Sequence, residues 1–171
     1  SSLGRPALDE PAVYPGPTPE YSYLLLGDHI VALQASDTKL GQWKVLSEPG
    51  LRLEDVLSGA HATPVDDRTA VLAFGSNASP PQLARKFAGV PGSAIPVVRG
   101  SVYGLRLAFS AHLNRLGYIP AAVRSAASRD DKMRVWITFL DDRQLKVLDA
   151  TEPSYNRVVL SYGQGRPVME L

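Results

Sequence analysis

Between Thr69 and Phe87 the chain leaves itself few conformational options. The apolar run Thr69-Ala70-Val71-Leu72-Ala73-Phe74 predicts a buried strand, which Gly75 ends in a turn through Ser76, Asn77 and Ala78. Pro80 and Pro81 follow. Proline fits the first positions of a helix, where an N–H has no partner anyway, and not the interior. Ser79 stands at the capping position, and Gln82-Leu83-Ala84-Arg85-Lys86-Phe87 continues the helix. Strand, glycine turn and helix start together aim several backbone N–H groups at one point, which suits an anion or a polarised carbonyl. Taken alone, the turn also reads as an ordinary loop, with Gly75 a turn glycine and Asn77 a turn or capping residue.

The chain has 171 residues, 44% of them hydrophobic, which is enough for one well-buried core and tight for two full domains. It has no Cys, which excludes disulfides, thiolate zinc sites and cysteine nucleophiles. That absence fits a reducing compartment, and a cytoplasmic location is expected. No apolar stretch approaches the roughly 20 residues of a membrane-spanning helix, so no membrane partner is expected. The start, Ser1-Ser2-Leu3-Gly4-Arg5-Pro6, carries no signal-peptide pattern. His29, His61 and His112 are isolated and show no metal-ligand spacing, so all three are expected to be structural or exposed, and no metal is expected. Ser76 has no His or Asp partner evident from spacing, which argues against a hydrolase triad.

Net charge is +1, but residues 1–70 carry five basic and ten acidic side chains, and the remainder thirteen basic and seven acidic. Either the acidic part docks on the basic one, or the basic part attracts anionic small molecules. Nucleic acid is not an expected partner, because no dense basic stripe with interleaved aromatics is present.

Three stretches organise the chain. Residues 1–20 contain five prolines and read as an extended arm. Residues 21–68 form an N-terminal extension expected to pack on the core. It holds a hairpin, Tyr21–Leu26 and Ile30–Leu33 around Gly27-Asp28, then a strand at Trp43–Leu46 and a short helix from Leu53 to Leu57 ending at Gly59. Residues 69–171 carry the strongest patterns. Val97–Phe109 reads as a long or bent strand with glycines permitting a bulge, Tyr118–Val123 and Met133–Leu140 as strands, and Asp141–Asp149 as a helix. Tyr155–Tyr162 is expected to be a strand, Gly163-Gln164-Gly165 a turn, and Pro167–Leu171 a return strand. Strands outnumber helices and connections are short, which predicts an α+β fold.

A set of motifs in this last stretch resembles the γ-glutamylcyclotransferase-like family. Phe74-Gly75-Ser76-Asn77 resembles its Tyr-Gly-Ser-Asn turn. Leu105–Phe109, Gly117-Tyr118-Ile119-Pro120-Ala121 and Arg134–Leu140 resemble its following strands. Leu148-Asp149-Ala150-Thr151-Glu152 with Tyr155 resembles its Leu-Asp-x-x-Glu segment and trailing Tyr. Each motif alone is common, and the weight lies in their order and spacing. The resemblance implies a small mixed, partly closed β-barrel with few helices, here with an N-terminal extension.

It also implies a reaction, in which the α-amino group of a γ-glutamyl moiety attacks its own side-chain amide and gives 5-oxoproline and a free amine. Nucleophile and electrophile are already tethered, so no cofactor is required. The substrate is a γ-glutamyl amine or similar small amide, and Glu152 takes the place of the catalytic glutamate, general base and then acid, a double role favoured by burial. Phe74, Gly75, Ser76 and Asn77 are implied to bind substrate, their N–H groups holding an oxyanion or the α-carboxylate, with Tyr155 orienting Glu152 or binding substrate.

Three departures from the family pattern stand out. Phe74 lacks the usual tyrosine hydroxyl, Pro153 follows Glu152 where glycine is usual, and about seventy residues precede the turn. Two other readings are open: a non-catalytic member of the fold that binds a ligand or protein, and an assembly module forming a homodimer through residues 21–46.

Overall fold

The computed structural model describes residues 14–111, 113, 119–152, 155–160 and 169–170. Strands β1 (Tyr23–Leu26), β2 (His29–Gln34) and β3 (Lys44–Val45) come first, then α1 (Leu53–Gly59) and β4 (Thr69–Ala73). Next come α2 (Pro80–Phe87), β5 (Ala94–Tyr103), β6 (Leu105–Phe109), β7 (Ala121–Ser125), β8 (Lys132–Leu140), α3 (Asp142–Thr151) and β9 (Met169–Glu170). The main sheet runs β3-β2-β1-β5-β8-β4, with β9 on β5, and β6 with β7 forms a separate ribbon. Every named strand pair is antiparallel, and the fold is α+β. Among the described residues no ladder joins β3 to β4, and no helix is long and apolar enough to cross a membrane.

The period of two along β1 and β5 explains the layering. Tyr23, Leu25, Ile95 and Val97 face α2 and α3, meeting Leu83, Phe87, Leu145 and Leu148. Leu24, Ala94 and Val98 face the opposite way, toward Trp43, Leu53 and Leu57 around α1. A strand covered on both faces must be apolar throughout, which is why β1 reads Tyr-Leu-Leu-Leu without alternation. β1 and β2 thereby belong to the same sheet as β5 and β8.

Some expectations need correction. Residues 69–74 do not form a fully buried strand: β4 lies at the end of the sheet path, and Thr69 and Ala70 are exposed. Residues 97–109 divide at Gly104, whose φ of +75° suits a residue without Cβ. Residues 155–160 form no strand. Gly117-Tyr118, Pro153, the turn at 163–165, His112 and most of the proline-rich arm lie outside the described residues.

Candidate active site

The chain leaves β4 through half-buried Phe74 and enters a single 3-10 turn at Ser76–Ala78, closed by Ala78 N–H donating to Gly75 O at 3.1 Å and Ser79 N–H to Ser76 O at 3.0 Å. The first N–H groups of such a turn have no partner within it, so those of Ser76 and Asn77 stay available. Ser79 occupies the N-cap of α2, but its hydroxyl makes no capping bond and is buried without a hydrogen-bond partner. The prolines do occupy the first turn. Tyr23, fully buried on β1, donates its hydroxyl to Ala78 O at 2.8 Å and so fastens the N-terminal hairpin to the turn.

Glu152 caps the C-terminus of α3. The opposite end of that helix is fixed by a capping box in which Asp141 accepts from Gln144 N–H and Gln144 Oε1 accepts from Asp141 N–H. With α3 packed beside α2, Glu152 meets the glycine turn across 75 residues of sequence: Asn77 Nδ2 donates to Glu152 Oε1 at 3.0 Å. A third member of this contact is Lys86, at the end of α2. Its Nζ donates to Glu152 Oε1 at 2.5 Å and to Asn77 Oδ1 at 2.6 Å, and its side chain is 5% exposed against 27% for Glu152. Burial of Glu152 is therefore only partial, and its carboxyl is paired. Both bonds fall on Oε1, which leaves Oε2 outside this contact.

Tyr155 closes the arrangement from the other side. Its N–H donates to Glu152 O at 3.0 Å and its hydroxyl to Ala121 O at 3.0 Å on β7. It touches the Glu152 backbone and not, in these bonds, the carboxylate. Ala121 N–H in turn donates to Tyr14 Oη at 3.0 Å, and that same oxygen lies 2.8 Å from where a Cβ on Gly75 would stand. Gly75, Asn77, Glu152, Tyr155, Ala121 and Tyr14 thus form a ring of contacts, which includes four of the six residues expected from sequence. Ser76 lies in the turn and Phe74 leads into it, and neither contributes a bond to this ring.

Lys86, Tyr14 and Ala121 were not anticipated. Lys86 carried one usable signal, because it follows Leu83 by three residues and so shares the buried side of α2. Tyr14 carried none, since its contacts reach 107 residues along the chain. His29 and His61 are exposed, His29 beside Asp28, and no group of three or more acidic or histidine side chains among the described residues is arranged to hold a metal. A depression of about 490 Å³ lined by Gln34, Thr38, Gln42, Lys44 and Arg52 lies near β2 and β3 and contains none of the expected site residues. Comparison of the chain with protein-family models, curated proteins and solved structures gave no significant match.

Proposed function

We propose that the chain is a cofactor-free enzyme of the γ-glutamylcyclotransferase type, converting a γ-glutamyl amine or similar small amide to 5-oxoproline and a free amine. The observation that supports it is the hydrogen bond between Asn77 and Glu152, which unites the glycine turn and the acidic residue of the two best-separated motifs. The substrate's α-amine attacks its own γ-carbonyl carbon, and the amine proton passes to Glu152 Oε2. N–H groups of the turn stabilise the tetrahedral oxyanion. Collapse breaks the bond to the departing amine, which takes the proton back from Glu152. Lys86 and Asn77 hold the other carboxylate oxygen and thereby fix the rotamer of the side chain. The finer fold reading, a small partly closed barrel, draws support from β5, whose single edge pairs with β1 at its start and β9 at its end.

The test is 5-oxoproline release from γ-glutamyl dipeptides and γ-glutamylamines by the wild type and by Glu152→Gln, with folding of both verified by circular dichroism. Loss of about 10²–10⁴-fold in kcat is expected, the usual weight of a general acid–base. A wild type inert across the panel overturns the reading. A second reading, a non-catalytic binding member, is favoured by Tyr14, whose hydroxyl fills the space above Gly75. It predicts binding of these compounds without turnover.

A further inference from the structure

Ala121 turns its backbone groups away from its own ribbon. On the β6–β7 ribbon it faces Phe109, and the neighbouring pair is joined by Ser110 N–H donating to Pro120 O at 2.9 Å. Hydrogen-bonded and non-bonded pairs alternate along an antiparallel ladder, so both backbone groups of Ala121 point away from β6. Such groups need partners. Both are taken by phenols from irregular segments: the N–H by Tyr14 of the arm and the carbonyl by Tyr155.

The Tyr14 oxygen rests in a place built for one atom. Ala121 N–H donates to it at 3.0 Å, and Gly75 leaves it room only by lacking a side chain, since a Cβ there would stand 2.8 Å away. The methyl of Ala121 lies 3.5 Å from that same point. Two residues on, the arm passes over Ser79: a Cβ on Gly16 would lie 2.8 Å from Ser79 Oγ. That hydroxyl is wholly buried without a partner, and Gln82 Oε1, one turn into α2, is buried and unpartnered as well. Buried polar atoms are nearly always satisfied, so the orphaned Ser79 hydroxyl beneath the strap marks a covering that does not match what it covers. The strap is tied at its far end as well. Trp136 Nε1 donates to Pro19 O at 3.2 Å, and Glu20 pairs with Arg99 and Arg134, its own side chain 70% exposed. The pair with Arg134 is exposed on both sides and contributes little.

We propose that the position of Tyr14 Oη is an oxygen subsite for a carbonyl or carboxylate oxygen of the ligand, and that residues 14–20 are a displaceable plug competing for it. The choice of ligand rests on the γ-glutamyl reading above; the competition does not depend on turnover.

Three variants test it: Tyr14→Phe removes only the acceptor oxygen, Tyr14→Ala vacates the space, and Gly75→Ala fills the subsite. Amide exchange at Ala121, followed by NMR, is expected to quicken at least tenfold in all three. Affinity for 5-oxoproline and γ-glutamyl-alanine, measured by calorimetry, is expected to rise about tenfold in Tyr14→Ala and not in Gly75→Ala. In the wild type, saturating ligand is expected to shift the Trp136 indole N–H resonance as Pro19 leaves it. Unchanged Ala121 exchange, equal affinity of wild type and Tyr14→Ala, or no binding by either overturns the subsite. A tenfold affinity gap with no 5-oxoproline formed supports the subsite and defeats the catalytic reading alone.

Discussion

Lys86 is the residue on which the site's stability turns. An ammonium group on a side chain 5% exposed is costly unless a counter-charge and hydrogen bonds meet it, and Glu152 and Asn77 supply both. Neutralising either partner leaves the other charge uncompensated. Lys86→Met and Glu152→Gln should each cost about 2 kcal/mol, below the usual loss for a fully buried pair because a quarter of Glu152 faces solvent. Combining them removes both charges, so the double variant should lose at least 1 kcal/mol less than the singles added together. Urea unfolding of the four proteins checks this, and strictly additive losses show that the pair is not coupled. In the sequence, Arg85-Lys86 looks like the basic end of any helix, complementing its dipole. Its three-residue spacing from Leu83 puts the second of the two on the buried side, and packing of α2 on α3 supplies its partner.

At the scale of elements, Tyr23 decides where the glycine turn sits, since its hydroxyl is the bond from β1 to Ala78. Burial, with a smaller contribution from Tyr21, holds this hydroxyl far above the ordinary tyrosine range. Below about pH 10 the group is protonated in both folded and unfolded chains and contributes no pH dependence. Above it the unfolded chain releases the proton while the folded chain keeps it, so stability falls by about 1.4 kcal/mol per pH unit. Tyr23→Phe should remove that part of the alkaline slope and cost about 1–2 kcal/mol at neutral pH, because the Ala78 carbonyl loses its donor. Thermal melts of both proteins from pH 8 to 11 test it, and identical slopes place the loss elsewhere. Elements differ in how plainly the sequence announced them. β1, β8 and the helix beginning near Asp141 were legible because local pattern and tertiary role agree. Val158-Val159-Leu160 misled, since β-branched residues favour a strand only when a neighbour pairs with them, and here they are 74%, 85% and 51% exposed.

In the whole molecule, the extension and the site-bearing stretch are not separable by packing. β1 lies between β2 and β5, and its two faces feed both hydrophobic clusters. The boundary near residue 68, drawn from composition, marks a change of charge and pattern rather than a gap between cores. Arg68 itself crosses it, its guanidinium donating to Thr63 O, Ala94 O, Phe139 O and Gln144 Oε1. The pairing of Glu152 with the glycine turn was legible through motif order, whereas the arm's seat on Gly75 was not, because contacts of such sequence separation leave no local periodicity. One cooperative unit follows from this packing. The two tryptophans report on its two regions, Trp43 from the cluster around α1 and Trp136 from β8 beside Ala73 and the arm. In Trp43→Phe and Trp136→Phe, the remaining indole's fluorescence midpoint in urea should coincide with the far-ultraviolet circular dichroism midpoint of the same variant. If Trp136 changes at lower urea than the backbone signal, the site-bearing stretch opens independently of the N-terminal hairpin. The Tyr23–Ala78 bond then fails as a link between the two.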